Sequence, residues 1–143
     1  MNIWFTVTVR RTKQLDNGNF RRVSEKYLLA GVSFTDAETR AVKEVGQYIK
    51  GDFEVTGIAR THINDIFAYD DADVWYKVKV MYDSLDADSE QAKKVRQYFL
   101  VSAHSVKDAF DRIKESLSTL LVDFTIPQIQ VSPIVDVFPV EEK

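Results

Sequence analysis

The sequence predicts an α+β fold built as a tandem duplication of a strand-strand-helix-strand unit, with both copies in one pseudo-twofold sheet and the helices packed on one face. Three observations predict it. Trp4-Phe5-Thr6-Val7-Thr8-Val9 returns 71 residues later as Trp75-Tyr76-Lys77-Val78-Lys79-Val80. The offset persists: Tyr27-Leu28-Leu29 returns as Tyr98-Phe99-Leu100, and Ile63-Asn64-Asp65-Ile66-Phe67 returns as Ile134-Val135-Asp136-Val137-Phe138. Each half also orders its periodicities alike, two strand-like runs, one helical run and a further strand-like run. Residues 1–143 then form a single domain of two repeats, about 3–68 and 74–139, joined by an acidic connector.

The first strand-like run, residues 3–10, alternates. Phe5, Val7 and Val9 point to one side, and Trp4, Thr6, Thr8 and Arg10 to the other. Asp16-Asn17-Gly18-Asn19 supplies the positive φ angles of a tight hairpin turn. The return strand runs from about Phe20 to Val32, and its apolar stretch 27–32 belongs in the middle of a sheet. Thr35 with Glu38 reads as a capping box opening a helix. Ala37, Ala41, Val45, Tyr48 and Ile49 form its apolar stripe, and Gly51 lies at its stop. A strand follows from Phe53 to about Thr61. Residues 63–67 continue it past a bulge or form a separate short strand.

In the second half Tyr76, Val78 and Val80 take the buried positions. Residues 83–90 form an acidic loop where the first half has a short turn. Ser105 caps a helix with the stripe Ala109, Ile113, Leu117, Leu120 and Leu121. Phe124 to Val131 is the last long strand. Pro127 places it at an edge or breaks it, because proline donates nothing to a ladder.

Composition narrows the function. Apolar residues make up 45% of the chain, enough to bury a core. Without cysteine there are no disulfides or thiolate chemistry. A net charge of −3 gives no overall pull toward nucleic acid. Residues 1–27 nevertheless carry six cations against Asp16 and Glu25. No leader and no membrane span is read, so the expectation is a cytoplasmic protein without membrane partners.

Phosphate-cradling and nucleophile-elbow motifs are absent, so no catalytic residue and no cofactor is expected. His62 and His104 lack the converging partners of a metal site. The acidic loop lacks the glycine and distal glutamate of a calcium loop. Asp65 and Asp136 occupy matching places; backbone capping is favoured over a paired acid and base.

The functional lead is the side of the repeated first strands away from the core. Trp4 and Arg10 in one copy, and Trp75, Lys77 and Lys79 in the other, interleave flat rings with cations, and Arg60 approaches from the third strand. A ring for a base and a cation for a phosphate suit a nucleotide-like small molecule. The competing reading is that the two tryptophans cover an internal interface. The expectation is a non-catalytic binding protein that sequesters an anionic, base-containing ligand such as a signalling nucleotide. The alternative is a protein–protein interaction or assembly component, with repeated strands building a homo-oligomer, or a binder of single-stranded nucleic acid.

The run WFTVTVRRTKQLDNGNFRRVSEKYLLAGVSFTDAE, residues 4–38, resembles a family of short uncharacterised proteins, a domain of unknown function, from gut anaerobic bacteria and their phages. The resemblance extends over nearly the whole chain. It implies a small cytoplasmic protein, phage-encoded in some members. It carries no activity and assigns no residue a role.

Overall fold

The computed structural model describes residues 3–85 and 92–139. It is mixed α+β, mostly strand, with two helices and two four-stranded sheets. The single sheet expected from the repeats is therefore corrected to two. The chain divides into two compact units, residues 1–61 with 133–143, and residues 62–132.

In the first unit, β1 (Ile3–Gln14) and β2 (Phe20–Gly31) form a long antiparallel hairpin. Its loop closes where the Asn-Gly sequence predicts, with Gly18 at φ 86°, a left-handed value that costs glycine little. β3 (Phe53–Thr61) pairs antiparallel with the other side of β1. β8 (Ile134–Phe138) pairs parallel with β2, giving the order β3-β1-β2-β8. Phe5, Val7, Val9, Tyr27 and Leu29 alternate onto one face and meet Ala37, Ala41 and Val45 of α1 (Phe34–Tyr48). Small alanines on the first two turns let the helix approach the sheet. Tyr27 stacks on Phe138, with ring centroids 5.8 Å apart.

The helix start differs from the capping box read at Thr35 and Glu38. Ser33 is the N-cap: its hydroxyl accepts the Asp36 amide at 3.1 Å, and the Asp36 carboxylate accepts the Val32 amide at 2.9 Å. Ser33 has the extended backbone a cap requires, whereas Thr35 is already helical. Tyr48 also leaves the stripe. It is exposed, and its hydroxyl donates to Asp136.

In the second unit, β5 (Val74–Leu85) and β6 (Ala92–Ala103) pair antiparallel, and β7 (Phe124–Val131) pairs antiparallel with β5. β4 (Asp65–Phe67), a separate short strand, runs parallel to β6, so the order is β4-β6-β5-β7. β7 is an edge, as Pro127 requires, and the register slips beside that proline between Lys79 and Met81. α2 (Val106–Ser116) is capped by Ser105, whose hydroxyl accepts the Asp108 amide at 3.0 Å. Ala109, Ile113 and the C-cap Leu117 are buried against Tyr76, Val78, Val80 and Val101. The expected stripe overran the helix: Leu120 and Leu121 lie beyond its end and are exposed. Of the acidic loop, residues 86–90 lie outside the described residues.

Candidate functional site

Alternate residues of a strand share a face, and so do residues directly opposite on neighbouring strands. On the β5 face away from α2 lie Trp75, Lys77 and Lys79. Lys77 is flanked by Leu100 on β6 and Gln130 on β7, and Lys79 by Tyr98 and Gln128. Because β5 is central, both lysine stems lie between side chains of two neighbouring strands. That makes them half-buried.

Lys77 Nζ sits 5.0 Å from the centroid of the Tyr98 ring. Lys77, Lys79, Tyr98, Gln128 and Gln130 line a cavity of about 230 Å³. The Gln128 amide nitrogen donates to Gln130 Oε1 at 3.1 Å. Among the described residues neither lysine has a carboxylate within ion-pair distance. Two ammonium groups, one aromatic face and two amide side chains therefore border one small cavity, with no anion among these residues to neutralise them.

The other predicted residues are placed differently. Trp75 is on the same face but is buried, 7% exposed, and cannot present an open ring to solvent. Trp4 and Arg10 lie on the β1 face away from α1, Trp4 half-buried and Arg10 exposed. Arg60 does not join them. It pairs with Phe5, so it shares the helix side of the sheet, whereas Thr61 pairs with Trp4. Trp4, Arg10 and Arg60 belong to the first unit, and Trp75, Lys77 and Lys79 to the second.

Sequence reading missed a second constellation, around Arg112. This guanidinium donates to Asp71 Oδ2 at 2.8 Å, to Asp108 Oδ1 at 3.2 Å and to the Ser102 carbonyl at 2.9 Å. It also lies 4.4 Å from the Tyr69 ring centroid. His104 Nε2 is 3.1 Å from the same Asp71 oxygen. The hydrogen bond from Arg112, followed by that from His104, lowers the Asp71 carboxyl to about 2. The nearby cavity is lined by Asp70, Asp71, Asp108, Asp111 and Glu115, with Arg112 its only cation. Arg112 is already engaged on every side, and that acidic lining repels anions, so the cluster acts as a clasp between the 69–71 connector and α2. The only sequence signal was Arg40, 72 residues earlier, which donates to the Ala30 carbonyl and, at 2.8 Å, to that of Pro139.

A family model for a domain of unknown function, DUF4494, matches residues 3–140. The chain belongs to the DUF4494 family. Comparison with curated proteins and with solved structures finds no match. Among the described residues of this DUF4494 chain no group of three His, Cys, Asp or Glu side chains converges for a metal ion. Asp65 and Asp136 each accept the amide of the following residue at 2.8 Å, the backbone capping expected of them. No helix among the described residues is long and apolar enough to cross a membrane.

Proposed function

We propose that this DUF4494 chain is a non-catalytic binding protein that takes an anionic, base-containing small molecule, a nucleotide in chemical class, on the β5–β6–β7 sheet face. The observation that carries this reading is the pair of half-buried lysines beside Tyr98, with no carboxylate partner among the described residues. Partial burial costs an ammonium group solvation, and a bound phosphate offsets that cost through charge-assisted hydrogen bonds. Tyr98 offers an aromatic surface to a base, and Gln128 and Gln130 offer amide donors and acceptors to its edge. The cavity of about 230 Å³ admits part of a mononucleotide, so one end of the ligand remains in solvent.

Calorimetric titration with nucleoside monophosphates and diphosphates tests this. Wild-type protein is expected to bind, and Lys77→Gln with Lys79→Gln to weaken binding at least tenfold, about 1.4 kcal/mol. Glutamine keeps much of each stem, so the half-buried packing survives. A folded wild type that binds none of these ligands favours the interaction-protein reading instead.

We also propose that the chain arose by tandem duplication, with the last short strand of each repeat joining the sheet of the other. Supporting this are strand orders that match element for element once β4 and β8 are exchanged. So are the caps Ser33–Asp36 and Ser105–Asp108, and the arginines that reach the carbonyls of Ala30 and Ser102. The strands recur at an offset of 71 and the helices at 72.

A further inference from the structure

The two repeats end their helices differently. α1 has 15 residues and α2 has 11, although their caps, Ser33 and Ser105, align at an offset of 72. At that offset Ser116, the last residue of α2, matches Glu44, so α2 stops one turn short of the match to Tyr48. Ile49, the C-cap of α1, matches Leu121. Ile49 is buried, 8% exposed, whereas Leu121 is wholly exposed. The connection explains the difference. Residues 49–52 link α1 to Phe53, and Gly51 turns the chain at φ 103°. Phe124 matches Phe53 at an offset of 71, so the second link is one residue shorter and contains no glycine. A tight link needs left-handed backbone, which residues other than glycine resist. The helix therefore stops early and the chain reaches β7 through an unwound turn.

That turn leaves a hole and a projecting side chain next to each other. The hole is a cavity of about 700 Å³ between α2 and β7, walled by Phe110, Leu117, Leu120, Val122, Phe124 and Ile126. Leu121, between two of these residues in sequence, does not line it and stands in solvent. In the first unit the matching Ile49 packs into the core with Ala41 and Val45. Lys114 and Asp123 also line the cavity, and among the described residues neither is within ion-pair distance of an opposite charge.

A small apolar ligand would fill the cavity and leave Leu121 in water. A second copy of this chain covers both, because it brings its own Leu121 and its own cavity. Across a twofold axis the patch meets itself and every contact is made twice. A patch with one free cation and one free anion is then complementary in charge to its own copy.

We propose that the α2–β7 end of the second unit is a homodimer interface, with Leu121 of each chain seated in the cavity of the other and Lys114 opposite the partner's Asp123. This surface is on the helix side of its sheet and is independent of the lysine cavity, which is on the other face.

Sedimentation equilibrium of the full chain, from micromolar to near-millimolar concentration, is the test. Wild-type protein should show a reversible monomer–dimer equilibrium. Leu121→Ala should weaken it at least about tenfold, and Leu121→Asp, which would place an unpaired carboxylate in the cavity, should abolish it. Both variants should keep the wild-type denaturant midpoint at concentrations where the chain is monomeric. Phe20→Ala, an exposed ring in the other unit, should change the dimer constant less than about threefold. Lys114→Glu and Asp123→Lys should each weaken the dimer, since each sets like charges against each other twice. An equal mixture of these two variants should recover wild-type association as a heterodimer, a gain that misfolding cannot mimic. A chain that stays monomeric throughout overturns the proposal. So does a dimer that survives Leu121→Asp, or a mixture of the two charge reversals that does not recover.

Discussion

Asp71 and Tyr27 report the two electrostatic environments of the molecule. Asp71 is exposed, and its carboxyl is lowered to about 2 from 3.8 by the hydrogen bonds of Arg112 and His104. A carboxyl depressed on folding contributes stability that is present above the unfolded value, 3.8, and lost as pH falls through about 2. A carbon-detected titration of the Asp71 side chain should therefore give a midpoint near 2. In Arg112→Met, which keeps the stem but loses the donors, the midpoint should move toward 3.8. An unmoved midpoint would show that Arg112 does not hold this carboxylate. Tyr27 behaves oppositely. Burial pushes its hydroxyl up to about 12 from 10.0, so its contribution is complete below 10.0 and lost as pH rises through about 12.

At the scale of elements, helix starts and core faces decide stability. Ser33→Ala and Ser105→Ala should each cost about 1 kcal/mol by removing a cap, while Thr35→Ala should cost much less. Ile113 is fully buried on α2, and Ile113→Ala should cost about 2–5 kcal/mol. Leu121, wholly exposed, should tolerate alanine within about 0.5 kcal/mol. Denaturant midpoints at constant slope check all five; equal losses at Thr35 and Ser33 would return the cap to Thr35. The sequence made the strands legible because alternation at Phe5-Val7-Val9 and Tyr76-Val78-Val80 has one reading once a face is buried. Caps were less legible. Ser33, Thr35, Asp36 and Glu38 offer two overlapping capping boxes, and only backbone geometry distinguishes them. Faces away from the helices were misread because alternation fixes which residues share a face, not whether water reaches it. Hence Trp75 is buried. Arg60 has a different cause: which face it takes depends on its pairing with Phe5, a register the sequence does not show. The partners of Lys77 and Lys79 were out of reach too, since Tyr98, Gln128 and Gln130 join them only through strand register.

At the scale of the molecule, the first unit is not contiguous in sequence, whereas the second is one segment. β8 completes the sheet of the first unit, and β4 pairs in the second. A fragment of residues 1–72 therefore lacks the strand beside β2 and the Phe138 ring stacked on Tyr27. Such a fragment should self-associate or melt well below the whole chain, because β2 then presents an open, apolar edge. A peptide of residues 133–139 added in trans should raise its Tm in a concentration-dependent way. A monomeric fragment as stable as the full chain without the peptide would contradict this use of β8.

Amide chemical-shift mapping tests whether the lysine cavity of the second unit is a ligand site. Titrating the full chain with a nucleoside diphosphate should move the amides of Lys77, Lys79, Tyr98, Gln128 and Gln130 together, along one saturable curve, leaving the α2 amides still. Shifts centred on the Asp71–Arg112 cluster, or none anywhere at millimolar ligand, would contradict it.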